Sequence, residues 1–299
     1  MEVRLRTDGS LTSIMKKAFV IVGPTASGKS ALAIQLAKKV RGEVISADSR
    51  QVYRGMDIGT GKVTKKEMAG IPHHLLSVAD PKKQYSVERY QRDARKALFD
   101  ILARNKTPII CGGTGYYIDA LVEGAVLPSV PPNSALRKKL EQMSAEKLFA
   151  LLKKRDPSRA QTIDAKNPRR LIRALEIIEA LGKVPTQKSV PLPNIHFEWI
   201  GIDLPDEELK QKIHLRLHSR MRCGMLKEVE RLHTPSVGGG LSWKRMEDFG
   251  LEYRWLARYL QNKITREEML TKLELDIWHY AKRQRTWFKR NKKIKWVKK

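Results

Sequence analysis

Eight consecutive residues, Gly23-Pro24-Thr25-Ala26-Ser27-Gly28-Lys29-Ser30, constrain the fold of this chain more than any other stretch. They follow an apolar, β-type run (Ala18, Phe19, Val20, Ile21, Val22) and lead into a helical pattern with Leu32, Leu36 and Val40 four residues apart. The spacing G-x-x-x-x-G-K-[ST] is that of a P-loop. Its glycines let backbone N–H groups turn inward around phosphate oxygens, and the helix N-terminus, the Lys29 ammonium and the Ser30 hydroxyl with Mg2+ complete the cradle. A strand, a phosphate loop and a helix in that order predict an α/β fold: a P-loop NTPase-like parallel sheet flanked by helices. The loop predicts a bound diphosphate or polyphosphate and leaves open whether that phosphate belongs to a nucleotide.

The stretches that follow supply groups for the same edge of the sheet. Gly42-Glu43-Val44-Ile45-Ser46-Ala47-Asp48 reads as a short strand ending in an acid. Ligands of open parallel sheets bind beyond the carboxyl ends of the strands, so Asp48 is expected beside the phosphate site, as a general base or as a turn former. Ser49, Arg50 and Gln51 add donors. Thr107-Pro108-Ile109-Ile110-Cys111 reads as a further buried strand, and it feeds a second glycine loop in which Thr114 is a candidate ligand hydroxyl. No acid ends that strand, unlike the Walker B strand of many ATPases. His73-His74, without cysteine or carboxylate neighbours, reads as structural rather than metal-binding.

Pro128, Pro131 and Pro132 then break the pattern, and a Lys/Arg-rich helical stretch runs to about Gly182. It reads as a helical insertion domain. Within it Asn167 is a helix N-cap, Pro168 the first helical residue and Gly182 the stop, which gathers Arg169, Arg170 and Arg173 at the positive end of that helix. Such a cluster suits an anion, and pairing with nearby acids such as Glu176 is the alternative. Phe197–Leu204 returns to β character, and a helix opened by Asp206 carries Leu209, Ile213, Leu217 and Met221 as its apolar row. Arg216 falls at that row, where a charge needs a partner such as a phosphate or an internal acid. Residues 234–250 read as loop. The bounds expected are residues 1–14 as a disordered extension or upstream start, 15–118 and 197–299 as a discontinuous core, and 119–196 as the insertion.

Charge points to the partner. Lys and Arg number 59 against 32 Asp and Glu, a formal net charge of +27, and nucleic acid is the leading polyanion for so large an excess. The excess clusters at the end of the chain, where no acid follows Asp276 and Trp287, Phe288 and Trp296 interleave with basic residues. Two cysteines, Cys111 and Cys223, lie far apart without metal-type spacing, which argues against a zinc site or disulfide framework and fits a reducing cytoplasm. No apolar run reaches the roughly 18 residues of a membrane span.

Taken together, these residues resemble the tRNA dimethylallyltransferases (tRNA isopentenyltransferases). The P-loop matches, as do Asp48-Ser49-Arg50-Gln51-Val52-Tyr53-Arg54-Gly55-Met56-Asp57-Ile58-Gly59-Thr60, His73-His74-Leu75, Tyr85-Ser86-Val87, Gly112-Gly113-Thr114-Gly115-Tyr116-Tyr117, Asn167 through Glu176, and Ala281-Lys282-Arg283-Gln284 with Thr286-Trp287-Phe288. They run in family order over residues 18–290. The resemblance implies transfer of a dimethylallyl group from dimethylallyl diphosphate to the exocyclic amine of the adenosine 3′ of a tRNA anticodon, with Mg2+ as cofactor and the P-loop holding the prenyl diphosphate.

In that pattern Asp48 is the base, Thr114 lies near the reacting groups, and Lys29 and Arg216 stabilise the leaving diphosphate. Ser49, Arg50 and Gln51 lie near a flipped-out adenosine, and Arg169, Arg170 and Arg173 touch tRNA. A monomer acting on the anticodon stem-loop, with no membrane partner, is expected. Two places depart from the family: Asp248-Phe249-Gly250-Leu251-Glu252-Tyr253 stands where an Ala-Ile-Gly-Tyr-Lys-Glu-like run is common, and Arg220 where an apolar residue is usual. No tRNA contact of residues 234–253 is carried over. The other functions compatible with a P-loop beside an acid are an adenylate isopentenyltransferase, a small-molecule kinase, and a non-catalytic RNA-binding protein with a nucleotide switch.

Overall fold

The computed structural model describes residues 4–5, 11–12, 15–186, 189–234 and 239–298. Its contacts divide the chain into two compact units, Met1–Gly124 with Pro191–Lys299, and Ala125–Val190. In chain order the strands are β1 (Arg4–Leu5), β2 (Leu11–Thr12), β3 (Lys16–Val22), β4 (Gly42–Ser46), β5 (His73–His74), β6 (Thr107–Cys111), β7 (Ile195–Asp203) and β8 (Lys295–Lys298). The first unit also holds helices α1 (Lys29–Val40), α2 (Lys65–Met68), α3 (Val87–Ala103) and α4 (Gly115–Val122). The second unit holds α5 (Ser134–Leu140), α6 (Ala145–Arg155), α7 (Pro157–Thr162) and α8 (Pro168–Leu181). The chain then returns to the first unit with α9 (Asp206–Arg222), α10 (Met225–His233), α11 (Trp243–Phe249), α12 (Leu251–Leu260) and α13 (Arg266–Phe288).

Six strands form one all-parallel sheet in the order β5-β4-β6-β3-β7-β8. Helices cover both faces, so the strands are buried continuously rather than alternately: Ala18 to Val22 is an unbroken apolar run, and Gly42 to Ser46 is buried throughout although it includes Glu43 and Ser46. Central β3 pairs with β6 on one side and β7 on the other. The chain leaves β3 toward β6, β4 and β5, and it returns later on the opposite side. The carboxyl end of β3 is therefore the switch point where such sheets open a crevice, and the P-loop starts there.

The disorder expected for residues 1–14 falls mostly outside the described residues. Within that stretch Arg4–Leu5 pairs antiparallel with Leu11–Thr12. Residues 234–250, expected to be loop, contain a helix. Ser242 caps α11 by accepting from the Arg245 N–H at 3.1 Å, and Met246 and Phe249 are buried in the main core. The glycines at 238–240 hid a seven-residue amphipathic turn from the sequence pattern.

The second unit has its own core, built from Leu140, Leu148, Leu152, Ala160, Leu171, Ile172, Ala174, Leu175 and Ile178. Its helices are capped in turn by Asn133, Ser144, Asp156 and Asn167. An isolated antiparallel bridge between Ala125 and Ser189 closes its neck. The unit is shorter at both ends than the 119–196 expected, because α4 packs against α3 and α13 of the sheet unit and β7 starts at Ile195.

Candidate active site

The loop after β3 turns through left-handed backbone at Ala26 (φ 63°) and Gly28 (φ 90°) before α1 begins at Lys29. That conformation aims successive N–H groups into one concavity at a helix N-terminus. Lys29 Nζ donates to the Pro24 carbonyl, so the ammonium lies inside the loop. Burial, reinforced by the Arg216 charge, brings its pKa down to about 8. Ser27 Oγ is buried and has no hydrogen-bond partner among the described residues, while Ser30 is exposed at the start of α1. The Ser30 side chain lines a small cavity together with Ser46, Gln51 and His73.

Two neighbouring side chains of α13 brace this region, one bonded to the loop and the other anchoring the helix. The Thr25 N–H donates to Gln284 Oε1 at 2.7 Å, and Gln284 Nε2 donates to the Gly113 carbonyl at 2.9 Å. A single buried amide on α13 thus ties the P-loop to the glycine loop after β6. It approaches so closely that a Cβ on Gly113 would overlap its Nε2. Arg285 fixes the same helix to the end of β7 through Asp203 at 2.6 Å and through Asp206 and the Leu204 carbonyl.

Beyond β4, Asp48 Oδ1 accepts from the N–H groups of Arg50 (2.8 Å) and Gln51 (3.2 Å). Among the described residues Oδ2 has no hydrogen bond. Thr114 faces it from the loop after β6, accepting from the Ser49 N–H at 3.0 Å and lying 3.4 Å from Ser49 Oγ. Tyr280 of α13 hydrogen-bonds Thr114 and has its pKa raised, first by burial and then by the Asp48 charge. Asp48, Thr114, Ser49 and Tyr280 therefore share one patch of the sheet edge. Arg50 turns elsewhere: its Nε donates to the Phe249 carbonyl at 2.8 Å and its guanidinium lies over the Phe249 ring. Gln51 reaches the Thr60 and Gly61 carbonyls, each at 3.4 Å.

Arg216 on α9 donates to Thr25 Oγ1 and to the Gly61 carbonyl, both at 3.2 Å. The partner that its place in the apolar row demanded is thus the P-loop itself. Burial first, and Arg220 next, lower its pKa to about 10. Arg220, one turn on, donates to the Gly59 carbonyl and pairs with Glu252 of α12. The two departures from the family pattern thus meet as one ion pair.

Sequence reasoning missed Glu228 and Tyr280 here, and it met Gln284 only within the Lys-Arg-Gln motif, without its role. Glu228, buried on α10, accepts from the N–H groups of Asp57 (2.9 Å), Ile58 (2.7 Å) and Gly59 (2.9 Å), and from the Tyr253 hydroxyl (2.8 Å). It fixes the loop whose carbonyls hold Arg216 and Arg220. A buried charge on an otherwise amphipathic helix was the available signal.

The basic cluster of the second unit is divided. Arg169 and Arg170 are exposed in the first turn of α8. Arg173 instead bonds the Val130 carbonyl at 2.8 Å and Glu176 at 3.4 Å. Burial works against the Glu176 carboxylate, but Arg137 at 2.7 Å and the Asn133 N–H at 2.8 Å hold its pKa below the ordinary range. At the far end of the sheet, His74 bonds Glu43 at 2.7 Å and His73 bonds the Ile71 carbonyl at 2.8 Å, which are structural contacts.

A family model described as IPP transferase matches residues 51–291, and one described as isopentenyl transferase matches residues 16–80. The tRNA dimethylallyltransferase of Roseiflexus sp. (strain RS-1) is 43% identical over 275 residues, covering 90% of this chain and 89% of its own. The tRNA dimethylallyltransferase 1 of Syntrophus aciditrophicus (strain SB) is 41% identical over 280 residues, covering 93% and 90%. Two solved structures share the fold. The full-length tRNA isopentenylpyrophosphate transferase from Bacillus halodurans has a TM-score of 0.69 at 35% identity and covers 95% of this chain and 90% of its own. A eukaryotic dimethylallyltransferase acting on tRNA has a TM-score of 0.79 at 30% identity, with 95% and 74% covered. The P-loop after β3 and the acid after β4, carried on two strands that flank β6, thus stand in a chain whose family models and relatives agree along most of its length: it belongs to the tRNA dimethylallyltransferase family.

Proposed function

We propose that this enzyme transfers a dimethylallyl group from dimethylallyl diphosphate to the exocyclic amine of the adenosine 3′ of the anticodon in tRNA, releasing diphosphate, in the cytoplasm. The observation that carries this reading is that Asp48, after β4, and the P-loop, after β3, stand at the carboxyl ends of two strands that flank β6 in one parallel sheet. Asp48 has one oxygen committed to backbone N–H groups and the other without a hydrogen bond among the described residues, and its charge is felt by Lys29 and Arg216. An adenine amine is a weak nucleophile because its lone pair is drawn into the ring. As its nitrogen bonds to the allylic carbon and the carbon–oxygen bond to diphosphate breaks, the amine proton passes to Asp48 Oδ2. Thr114, bonded to Ser49 and Tyr280, is the hydroxyl placed to orient that amine.

The departing diphosphate gains charge. Loop N–H groups, Lys29, Ser27 Oγ and Arg216 are the donors set around it, and they strengthen their hold as the bond breaks. A divalent cation of the Mg2+ class fits the oxygen donors at the loop mouth, with the Ser30 hydroxyl as the chain's own ligand. Bound there, it would neutralise diphosphate charge. Ser49, Arg50 and Gln51 border the base site, with Arg50 and Gln51 acting through the loops they brace. Arg169 and Arg170, exposed at a positive helix end, supply the phosphate contacts of the second unit, and Arg173 supports that helix from within.

The test is incubation of the protein with dimethylallyl diphosphate, Mg2+ and an unmodified anticodon stem-loop, followed by nucleoside mass analysis, with ATP and free AMP in parallel. A prenyl mass gain on the stem-loop adenosine, and none on AMP, is expected. ATP consumption without any gain would return the P-loop to the kinases.

A further inference from the structure

Three ionisable side chains on the outer face of α9 and α13 belong to none of the machinery above. His214 and His218 are one helical turn apart, so their rings share a face of α9, with centroids 4.3 Å apart. Glu274 meets them from α13, its two carboxylate oxygens 3.2 and 3.1 Å from His214 Nδ1. One ligand atom from each of the three lies within 4.8 Å of the others, and no other group of His, Cys, Asp or Glu among the described residues does this.

From these positions we propose a transition-metal site of the zinc class, with His214, His218 and Glu274 as ligands. A tetrahedral ion bound at about 2.0–2.2 Å to imidazole and carboxylate sets its ligand atoms about 3.3 Å apart. The contact between His214 and Glu274 already has that edge length. His218 makes no hydrogen bond among the described residues, and a turn of its half-exposed ring toward the other two ligands would complete the set. Lys210, one turn before His214, does not compete for the carboxylate: it pairs with Glu207 at 2.8 Å and lies over the Trp278 ring. Two imidazoles and one carboxylate are borderline ligands that select zinc, copper or nickel over Mg2+, which takes hard oxygen donors. The site would clip α9, whose other side carries Arg216, to α13, which carries Gln284.

The experiment is calorimetric titration of full-length, tag-free protein with Zn2+ in excess Mg2+. The background is Cys223→Ser, because that exposed thiol would otherwise hold zinc. One equivalent is expected to bind and to raise the melting temperature, and Co2+ in its place should show visible d–d bands. His218→Gln and Glu274→Gln should each weaken binding by more than about tenfold, the loss expected when a site of this kind is incomplete. Their circular dichroism and melting temperature in EDTA should stay unchanged. Less than stoichiometric binding by the parent, or equal binding by parent and variants, would overturn the site.

Discussion

Lys29 is where the electrostatics of the site are most exposed to experiment. Its pKa in the folded chain, about 8, lies below the ordinary 10.5. The unfolded chain therefore holds that proton more tightly, and the contribution of Lys29 to stability rises as pH climbs from about 8 toward 10.5. Diphosphate binding has the opposite sign, because the anion needs the ammonium. The dissociation constant for dimethylallyl diphosphate should rise above pH 8, by up to about tenfold per unit, and calorimetry with Lys29→Met should show a flat profile. Lys29, Asp48 and Arg216 were legible as residues, the first two by motif and the third by a charge at an apolar row. Gln284 was legible only as part of a motif, since the two partners that define its role lie 259 and 171 positions away. Replacing it with Ala orphans the Thr25 N–H and the Gly113 carbonyl. The expected cost is about 1–3 kcal/mol of stability, read by urea denaturation, with a raised KM for the prenyl diphosphate.

Among the elements, those announced by periodicity and caps were legible to within a residue or two, and those made by tertiary contact were not. Asn167, Pro168 and Gly182 bracket α8 as expected, and Thr107–Cys111 is β6 residue for residue. The two-residue β5 and the edge strand β8 exist only because neighbours pair with them. The loop at residues 57–61 is held in the same way, by a carboxylate distant in sequence. Glu228→Ala removes the acceptor from three backbone N–H groups and a tyrosine hydroxyl at once. It should cost about 3 kcal/mol or more, seen as a lower denaturant midpoint at unchanged slope. Glu228→Gln, which keeps one acceptor, should lose less. Equal losses for the two would mean that the loop does not depend on the carboxylate.

For the whole molecule, the parallel sheet and a site at the carboxyl ends of its strands followed from the P-loop, whereas the strand order and the bounds of the second unit did not, because proline breaks mark where pattern changes rather than where contacts divide. The net charge of +27 carries its own expectation. Affinity for the anticodon stem-loop should fall on the order of 10³-fold between roughly 50 and 200 mM salt, as for a protein contacting about six phosphates. Filter binding would measure it, and a fall below about tenfold would mean that the charge is not a nucleic-acid footprint.

The central claim is that Asp48 takes the proton of the amine that the prenyl group captures. Asp48→Asn keeps the Oδ1 acceptor used by Arg50 and Gln51 and removes only the basic oxygen. Single-turnover prenylation of the stem-loop should therefore slow by about 10²–10⁴-fold, with dimethylallyl diphosphate bound as tightly as before. Transfer at the parent rate, or a loss traced wholly to weaker binding of the diphosphate, would contradict it.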